Sequence, residues 1–138
     1  DHCLVGSEMC IRDRLKELAK NNKILIDGSH NENGSQALNK YLQSLDCDKH
    51  VIIGMMTNKE HEKYLSHFKD ISSITTIDLK TQPNSISGKD LKEKFKSIPN
   101  VQYQPDIKQA IKSIDLKEGD LLLITGSLYG AAEMLNLN

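Results

Sequence analysis

Apolar positions along the chain fall into short continuous runs that alternate with wider, helically spaced stripes. Lys23–Asp27 (KILID), His50–Met55 (HVIIGM), Ile74–Leu79 (ITTIDL), Val101–Tyr103 and Leu121–Thr125 (LLLIT) are apolar or β-branched runs closed by polar turns. Runs of this kind suit strands buried on both faces of a parallel sheet. Between them lie stripes that fit a 3.6-residue period. One carries Ala37, Leu38, Tyr41, Leu42 and Leu45, and a second, from Asn58 to about Phe68, carries Tyr64, Leu65 and Phe68. The others place Leu91 with Phe95, then Ile107, Ala110, Ile111 and Ile114, and last Leu128, Ala131, Ala132 and Leu135. Boundary residues agree with this division. Ser29 or Asn31 can cap the first of these helices, and Ser87 followed by Asp90 resembles a capping box. Pro99-Asn100 ends a helix, Pro105 suits the start of the next, and Gly119-Asp120 turns the chain into the last strand.

Strand and helix alternating in this way imply parallel βαβ units with right-handed crossovers. The expected fold is α/β, a Rossmann-like three-layer sandwich with a mostly parallel sheet of five or six strands. Leu121–Thr125, the most apolar run, is expected at its centre. Leu15–Lys20 (LKELAK) has helix propensity, yet Asn21-Asn22 would also suit a tight turn between two strands.

A length of 138 residues fits one domain. With 18 Lys+Arg against 19 Asp+Glu, the net charge is -1, which lacks the basic excess of a dedicated nucleic-acid binder. No apolar run approaches the ~20 residues of a membrane span, and no signal-peptide pattern opens the chain. Cys3, Cys10 and Cys47 contain no C-x-x-C pair, and an odd count without a signal peptide fits free thiols in a reducing cytoplasm. Neither G-x-x-x-x-G-K-[ST] nor G-x-G-x-x-G occurs, so a self-contained nucleotide enzyme of either type is excluded. Residues 1–14 (DHCLVGSEMCIRDR) show no periodicity that continues past Arg14. The string CLVGSEMCIRDR resembles a translated sequencing adapter, so residues 1–14 are expected to be non-native and 15–138 to form the domain.

Ligands of open α/β sheets bind beyond the C-terminal strand ends. Two polar turns leave strands at that edge, Asp27-Gly28-Ser29-His30-Asn31 and Thr125-Gly126-Ser127-Leu128-Tyr129. Each combines a glycine with small hydrogen-bonding side chains and precedes a helix N-terminus, which favours anions. Helix capping alone would also account for Ser29, Asn31 and Ser127. The other histidines read as surface residues, since His61 and His67 lack the i, i+3 or i+4 spacing of a shared ligand face. Lys89–Lys96 interleaves with Asp90 and Glu93 and reads as a solvated face.

Both turns resemble a known family. ILIDGSHNENGSQAL is similar to the D-G-A-H-N-x-x-[GA]-x-x-A-L segment of the C-terminal domain of folylpolyglutamate synthase/dihydrofolate synthase, in the Mur ligase superfamily, with Ser29 in place of alanine. LLLITGSLYGAAEML resembles that family's T-G-S-L-Y ending, with Glu133 in register. Gly54 to Glu60 (GMMTNKE) resembles its G-x-x-x-D-K-D stretch, with Asn58 and Glu60 at the acidic positions, and Gln82-Pro83-Asn84 its polar P-N loop. Arg14 and Leu15 fall where the family carries Gly-Arg-Leu, although Asp13 replaces the glycine. The same alignment implies that Leu15–Leu18 is a strand.

The resemblance implies the C-terminal part of an ATP-dependent ligase that adds L-glutamate to dihydropteroate or folate polyglutamates through an acyl phosphate. Such chemistry is mostly positioning and charge stabilisation. In the family, ATP and Mg2+ are held mainly by a larger N-terminal domain, so this chain alone is expected to be inactive. By position, Arg14 and Asp27 would contact ATP, and His30 would lie near the γ-phosphate as the catalytic candidate. Ser127 and Tyr129 would serve the glutamate side. His30 could instead bond local backbone, and Tyr129 could be a packed aromatic. No metal ligand is assigned to this chain. A cytoplasmic monomer with no nucleic-acid or membrane partner is implied. Two other readings stand beside this one: the C-terminal domain of another Mur-type amide ligase, and a stand-alone Rossmann-like binding module without catalysis.

Overall fold

Parallel strands cannot be joined by tight turns, so each connection must cross a face of the sheet. The computed structural model describes residues 11–27, 32–57, 61–66, 68, 70–80, 82–95 and 98–126. Strands β1 (Lys23–Asp27), β2 (Lys49–Gly54), β3 (Ser73–Thr76), β4 (Val101–Tyr103) and β5 (Leu121–Gly126) form one sheet in the order β1-β5-β2-β3-β4. All four pairings are parallel. The helices are α1 (Ile11–Leu18), α2 (Glu32–Gln43), α3 (His61–Ser66), α4 (Gly88–Lys94) and α5 (Ile107–Ser113).

Period-two alternation divides the core. Val51 and Ile53 of β2 and Leu121 and Leu123 of β5 pack with Leu38 and Leu42 of α2, Tyr64 of α3, and Leu91 and Phe95 of α4. Ile52, Leu122 and Ile124 point the other way, onto Ile11 and Leu15 of α1 and Ile107, Ala110 and Ile111 of α5. The result is the expected three-layer sandwich. Its central strands read as unbroken apolar runs because both faces are covered. Burying each of these aliphatic side chains stabilises the fold by ~1.5–3 kcal/mol. β5 is interior, buried along its whole length, but the middle of the order belongs to β2.

Several local expectations hold at the level of hydrogen bonds. The Ser87 hydroxyl accepts from the Asp90 amide at 3.1 Å and caps α4. The next cap is Asp106, whose carboxylate accepts from the Gln109 amide at 2.8 Å. Pro105 therefore stands just outside α5 rather than in its first turn. Lys89, Asp90, Lys92, Glu93 and Lys94 are exposed around buried Leu91, so this face of α4 is solvated.

Other expectations are corrected. Leu15–Leu18 is helical, within α1. Ile11, Leu15 and Leu18 recur at i, i+4 and i+7, and Ile11 and Leu15 are each only 6% exposed. A helical period therefore does run from residue 11 through residue 18, and packing of that stripe on the α5 face overrides a strand. In α2 the wide apolar stripe splits. Leu38 and Leu42 enter the core, whereas Ala37 and Tyr41 are exposed. His50 is not a plain surface residue. Its Nδ1 lies 2.7 Å from Ser73 Oγ and its Nε2 3.4 Å from Asp120 Oδ2, tying β2 to β3 and to the start of β5. The helix expected over 128–135 and His67 lie outside the described residues.

Candidate functional site

Register decides what the C-terminal edge presents. β1 and β5 run in step, so Asp27, the last residue of β1, lies beside Thr125. β5 and β2 also run in step, which sets Gly126 beside Gly54. The ends of three strands, Asp27, Gly54 and Thr125-Gly126, thereby meet at one edge. Asp27 is half-buried there. Gly126 has φ 109, and a Cβ on it would collide with the Gly54 carbonyl oxygen. Only a residue without a side chain lets β2 and β5 close up at this point.

Helix α3 fastens the edge from one side. Tyr64 is 1% exposed, and its hydroxyl lies 2.6 Å from Thr125 Oγ1 in a buried hydrogen bond. Burial pushes the Tyr64 phenol up to about 12; the Thr125 bond opposes this shift and the Asp27 charge adds to it. One turn earlier, buried His61 donates from Nε2 to the Met56 carbonyl at 2.8 Å. Two polar side chains of one short helix thus hold the exits of β2 and β5.

The loop after β3 closes against the exit of β2. Met56 and Ser85 form an antiparallel bridge. The Thr57 amide donates to Asn84 O at 2.8 Å, and the Ile86 amide to Met55 O at 3.0 Å. Ser85 Oγ donates to Gln82 O at 2.7 Å, rounding the Gln82-Pro83-Asn84 turn. Further along the edge, Asp78 accepts from the Gly88 amide at 2.7 Å and from the Tyr103 hydroxyl at 2.5 Å. That bond to Asp78 is the main reason the Tyr103 phenol is pushed up to about 12.

Among the candidate residues, Asp27 stands at the edge beside Thr125. Arg14 does not stand on a strand. It lies on α1, with Nη1 3.1 Å from Glu17 Oε1 of the same helix. His30, Ser127 and Tyr129 lie outside the described residues. Among the described residues no group of three His, Cys, Asp or Glu side chains could hold a metal ion. No described helix is long and apolar enough to cross a membrane.

Sequence reading missed Tyr64 and His61 as polar members of this edge. Tyr64 was legible only as part of an apolar face, and His61 only as a solvent-facing ring. The available hint was their i, i+3 spacing on a helix that follows a strand directly. His61→Ala removes the imidazole donor to Met56 O. It should lower stability by about 1–3 kcal/mol in urea unfolding and speed amide exchange at Thr57. Unchanged exchange at Thr57 would show that His61 does not hold this loop.

The model of the Mur ligase glutamate ligase domain family matches residues 13–128. The chain belongs to this family. Among curated Mur ligase relatives, the dihydrofolate synthase/folylpolyglutamate synthase of Bacillus subtilis (strain 168) is 26% identical over 120 residues, covering 84% of this chain and 28% of its own length. Folylpolyglutamate synthase of Mycobacterium tuberculosis, solved with ADP and AMPPCP, superposes with a TM-score of 0.70 at 17% identity, over 83% of this chain and 30% of that one. The bifunctional folylpolyglutamate synthase/dihydrofolate synthase of Yersinia pestis, solved with AMPPNP and a Mn ion, gives a TM-score of 0.67 at 19% identity, over 82% and 28%. The chain thus spans under a third of each of these relatives, and its parallel five-stranded sheet is that of their glutamate ligase domains.

Proposed function

We propose that this Mur ligase domain is the C-terminal portion of a cytoplasmic, ATP-dependent folylpolyglutamate or dihydrofolate synthase. The parent would join L-glutamate to dihydropteroate or to a folate polyglutamate through an acyl phosphate. The observation that carries this reading is the register that sets Asp27 beside Thr125 and Gly54 beside Gly126. It sets Asp27, Gly54 and Gly126 at one edge of the sheet, and the sequence segments that contain them, D-G-S-H-N, G-M-M-T-N and T-G-S-L-Y, resemble those of the folate branch.

In this reading Asp27 serves ATP as an acceptor for ribose hydroxyls, a role a half-buried carboxylate at a strand end fits. Arg14 offers a guanidinium to the same nucleotide once its Glu17 partner is exchanged for phosphate. His30, three residues after Asp27, stabilises charge developing near the γ-phosphate, and Ser127 and Tyr129 serve the glutamate side. ATP supplies the phosphoryl group that activates the carboxylate, and Mg2+ neutralises its charge. Both are held mainly by a larger domain upstream. Residues 1–14 are read as an adapter-like segment joined to residues 15–138, and Arg14 takes the ATP role only where the gene itself encodes it.

Two experiments test the proposal. Sequencing the gene upstream of codon 15 should give an open frame with a Gly-rich phosphate loop ending in Gly-Lys. A start codon immediately before Asp1 would refute it. The 138-residue chain, given ATP, Mg2+, L-glutamate and dihydropteroate, should release no ADP and form no amide. Turnover by the chain alone would show that the phosphate-binding machinery lies within it.

A further inference from the structure

Parity along the strands decides which side chains share a face at the C-terminal edge. Asp27 follows Leu25 by two residues, and Thr125 follows Leu123 by two, so both lie on the face that α2 and α3 cover. Tyr64 reaches the same face from α3, and its ring is held edge-on against Phe68 with centroids 5.6 Å apart. Its hydroxyl is thereby fixed 2.6 Å from Thr125 Oγ1, and both residues are buried. Two hydroxyls carry two protons, and only one proton can lie in the bond between them. Among the described residues neither oxygen has another hydrogen-bond partner. One buried donor is left over, a single rung from Asp27. A buried donor without an acceptor is costly, and a carboxylate is the strongest acceptor a protein offers it. The Asp27 charge is felt here, since it is one of the causes that raise the Tyr64 phenol.

We infer that Tyr64 is a positioning residue for Asp27: its O–H donates to Thr125 Oγ1, which turns the Thr125 proton toward the Asp27 carboxylate and fixes that side chain at the strand end. Thr125 is the rung neighbour of Asp27 and Tyr64 is not, so the proton left over serves Asp27 best from Thr125. A carboxylate accepts several hydrogen bonds at once, so this one adds to the other contacts of Asp27. The inference deepens the proposed function and rests on it in one respect, that the ligand Asp27 meets is the ribose of ATP. A carboxylate already held in one rotamer presents its oxygens to a diol without being ordered first, which favours binding. Tyr64, only 1% exposed, acts through Thr125 and Asp27 and not by contact with the ligand.

Side-chain couplings of Asp27, measured by NMR on the 138-residue chain, test the positioning directly. The expected result is one χ1 rotamer in the unmodified chain and rotamer averaging in Tyr64→Phe and in Thr125→Val. Thr125→Ser keeps a hydroxyl and should keep the single rotamer. Gly119→Ala strains the opposite end of β5 and should keep it too, which separates positioning from a general loss of stability. Should Tyr64→Phe not fold, Thr125→Val against Thr125→Ser makes the same comparison. In the full-length ligase, Tyr64→Phe should raise KM for ATP about fivefold while kcat and KM for glutamate stay within about twofold. Its preference for ATP over 2′-deoxy-ATP should fall by a similar factor. An Asp27 side chain that averages in the unmodified chain, or that Tyr64→Phe leaves unmoved, overturns the inference. Equal rises in the KM for ATP and for glutamate would mark a merely structural role and overturn it as well. A rotamer that responds while the preference for ATP does not would support the positioning and refute the ribose contact, so the two readings fail separately.

Discussion

Gly126→Ala should cost about 3 kcal/mol or more, a larger effect than the same change at Gly119 or Gly54. Two penalties coincide at this residue. Its φ of 109 lies where an L side chain costs ~1–3 kcal/mol. In addition, the new Cβ would meet the Gly54 carbonyl oxygen, a backbone atom that cannot rotate aside. Relief would require β2 and β5 to separate at the Gly54–Gly126 rung, between two buried strands. Two other glycines carry these penalties singly. Gly119 has φ 90 with nothing within 4 Å of a built Cβ, so Gly119→Ala measures backbone strain alone, about 1 kcal/mol. At Gly54 a Cβ would come within 2.7 Å of the Leu79 side-chain end, which can shift, so Gly54→Ala should cost ~1–2 kcal/mol. Urea unfolding of the three variants supplies the comparison. A Gly126→Ala loss no larger than that of Gly119→Ala would mean the strand ends are not closed as described. Since domains are stable by only ~5–15 kcal/mol, the expected loss should visibly deplete the folded state in mild denaturant.

The parts of this fold that could be read from sequence are those where one physical demand acts alone. β2 and β5 are covered on both faces, so consecutive positions along their middles are apolar, and VII and LLLI announce themselves. Ser87 is legible for a similar reason, because an unsatisfied helix N-terminus recruits the nearest short oxygen. Where two demands compete, a single signal misleads. Leu15–Leu18 fits a strand by alignment, but Ile11 upstream completes a helical stripe that packs on the α5 face. The α2 stripe is wide, but β1 is the outermost strand among the described residues, and Ala37 and Tyr41 on the outer half of that stripe are exposed. The candidate site divides the same way. That Asp27 and Thr125 share an edge follows from strand direction, which the βαβ pattern implies. That Tyr64 would reach Thr125, sixty-one residues on, depends on how α3 is rotated against β5, and no local pattern records it.

The Tyr64–Thr125 contact should make the chain's stability fall in alkali, in a way one hydroxyl controls. Tyr64→Phe leaves the ring in place and removes the oxygen. Thr125 Oγ1, fully buried, then loses its partner, which should cost about 1–3 kcal/mol at neutral pH. Thr125→Val should cost a similar amount by stranding the phenol. The double variant should cost less than the sum of the two, since neither group is then left unsatisfied. Additive losses would mean that the two hydroxyls do not depend on each other. The pH dependence follows from the raised phenol. In the unfolded chain Tyr64 ionises near 10, and in the folded protein near 12. Below pH 10 both states hold the proton and no stability is lost. Between 10 and 12 the unfolded chain releases it first, so unfolding gains ground at ~1.4 kcal/mol per pH unit, about 2–3 kcal/mol in total. Tyr103 shifts in the same direction, but it is more open to water and its bond to Asp78 is screened, so its share is small. Urea midpoints at pH 9, 10 and 11 should therefore slope downward in the wild-type chain and run nearly flat in Tyr64→Phe. The variant, weaker at pH 9, should close most of that gap by pH 11. If both proteins keep the same slope, the buried proton lies elsewhere, and Tyr64 does not hold Thr125 at the edge where Asp27 stands.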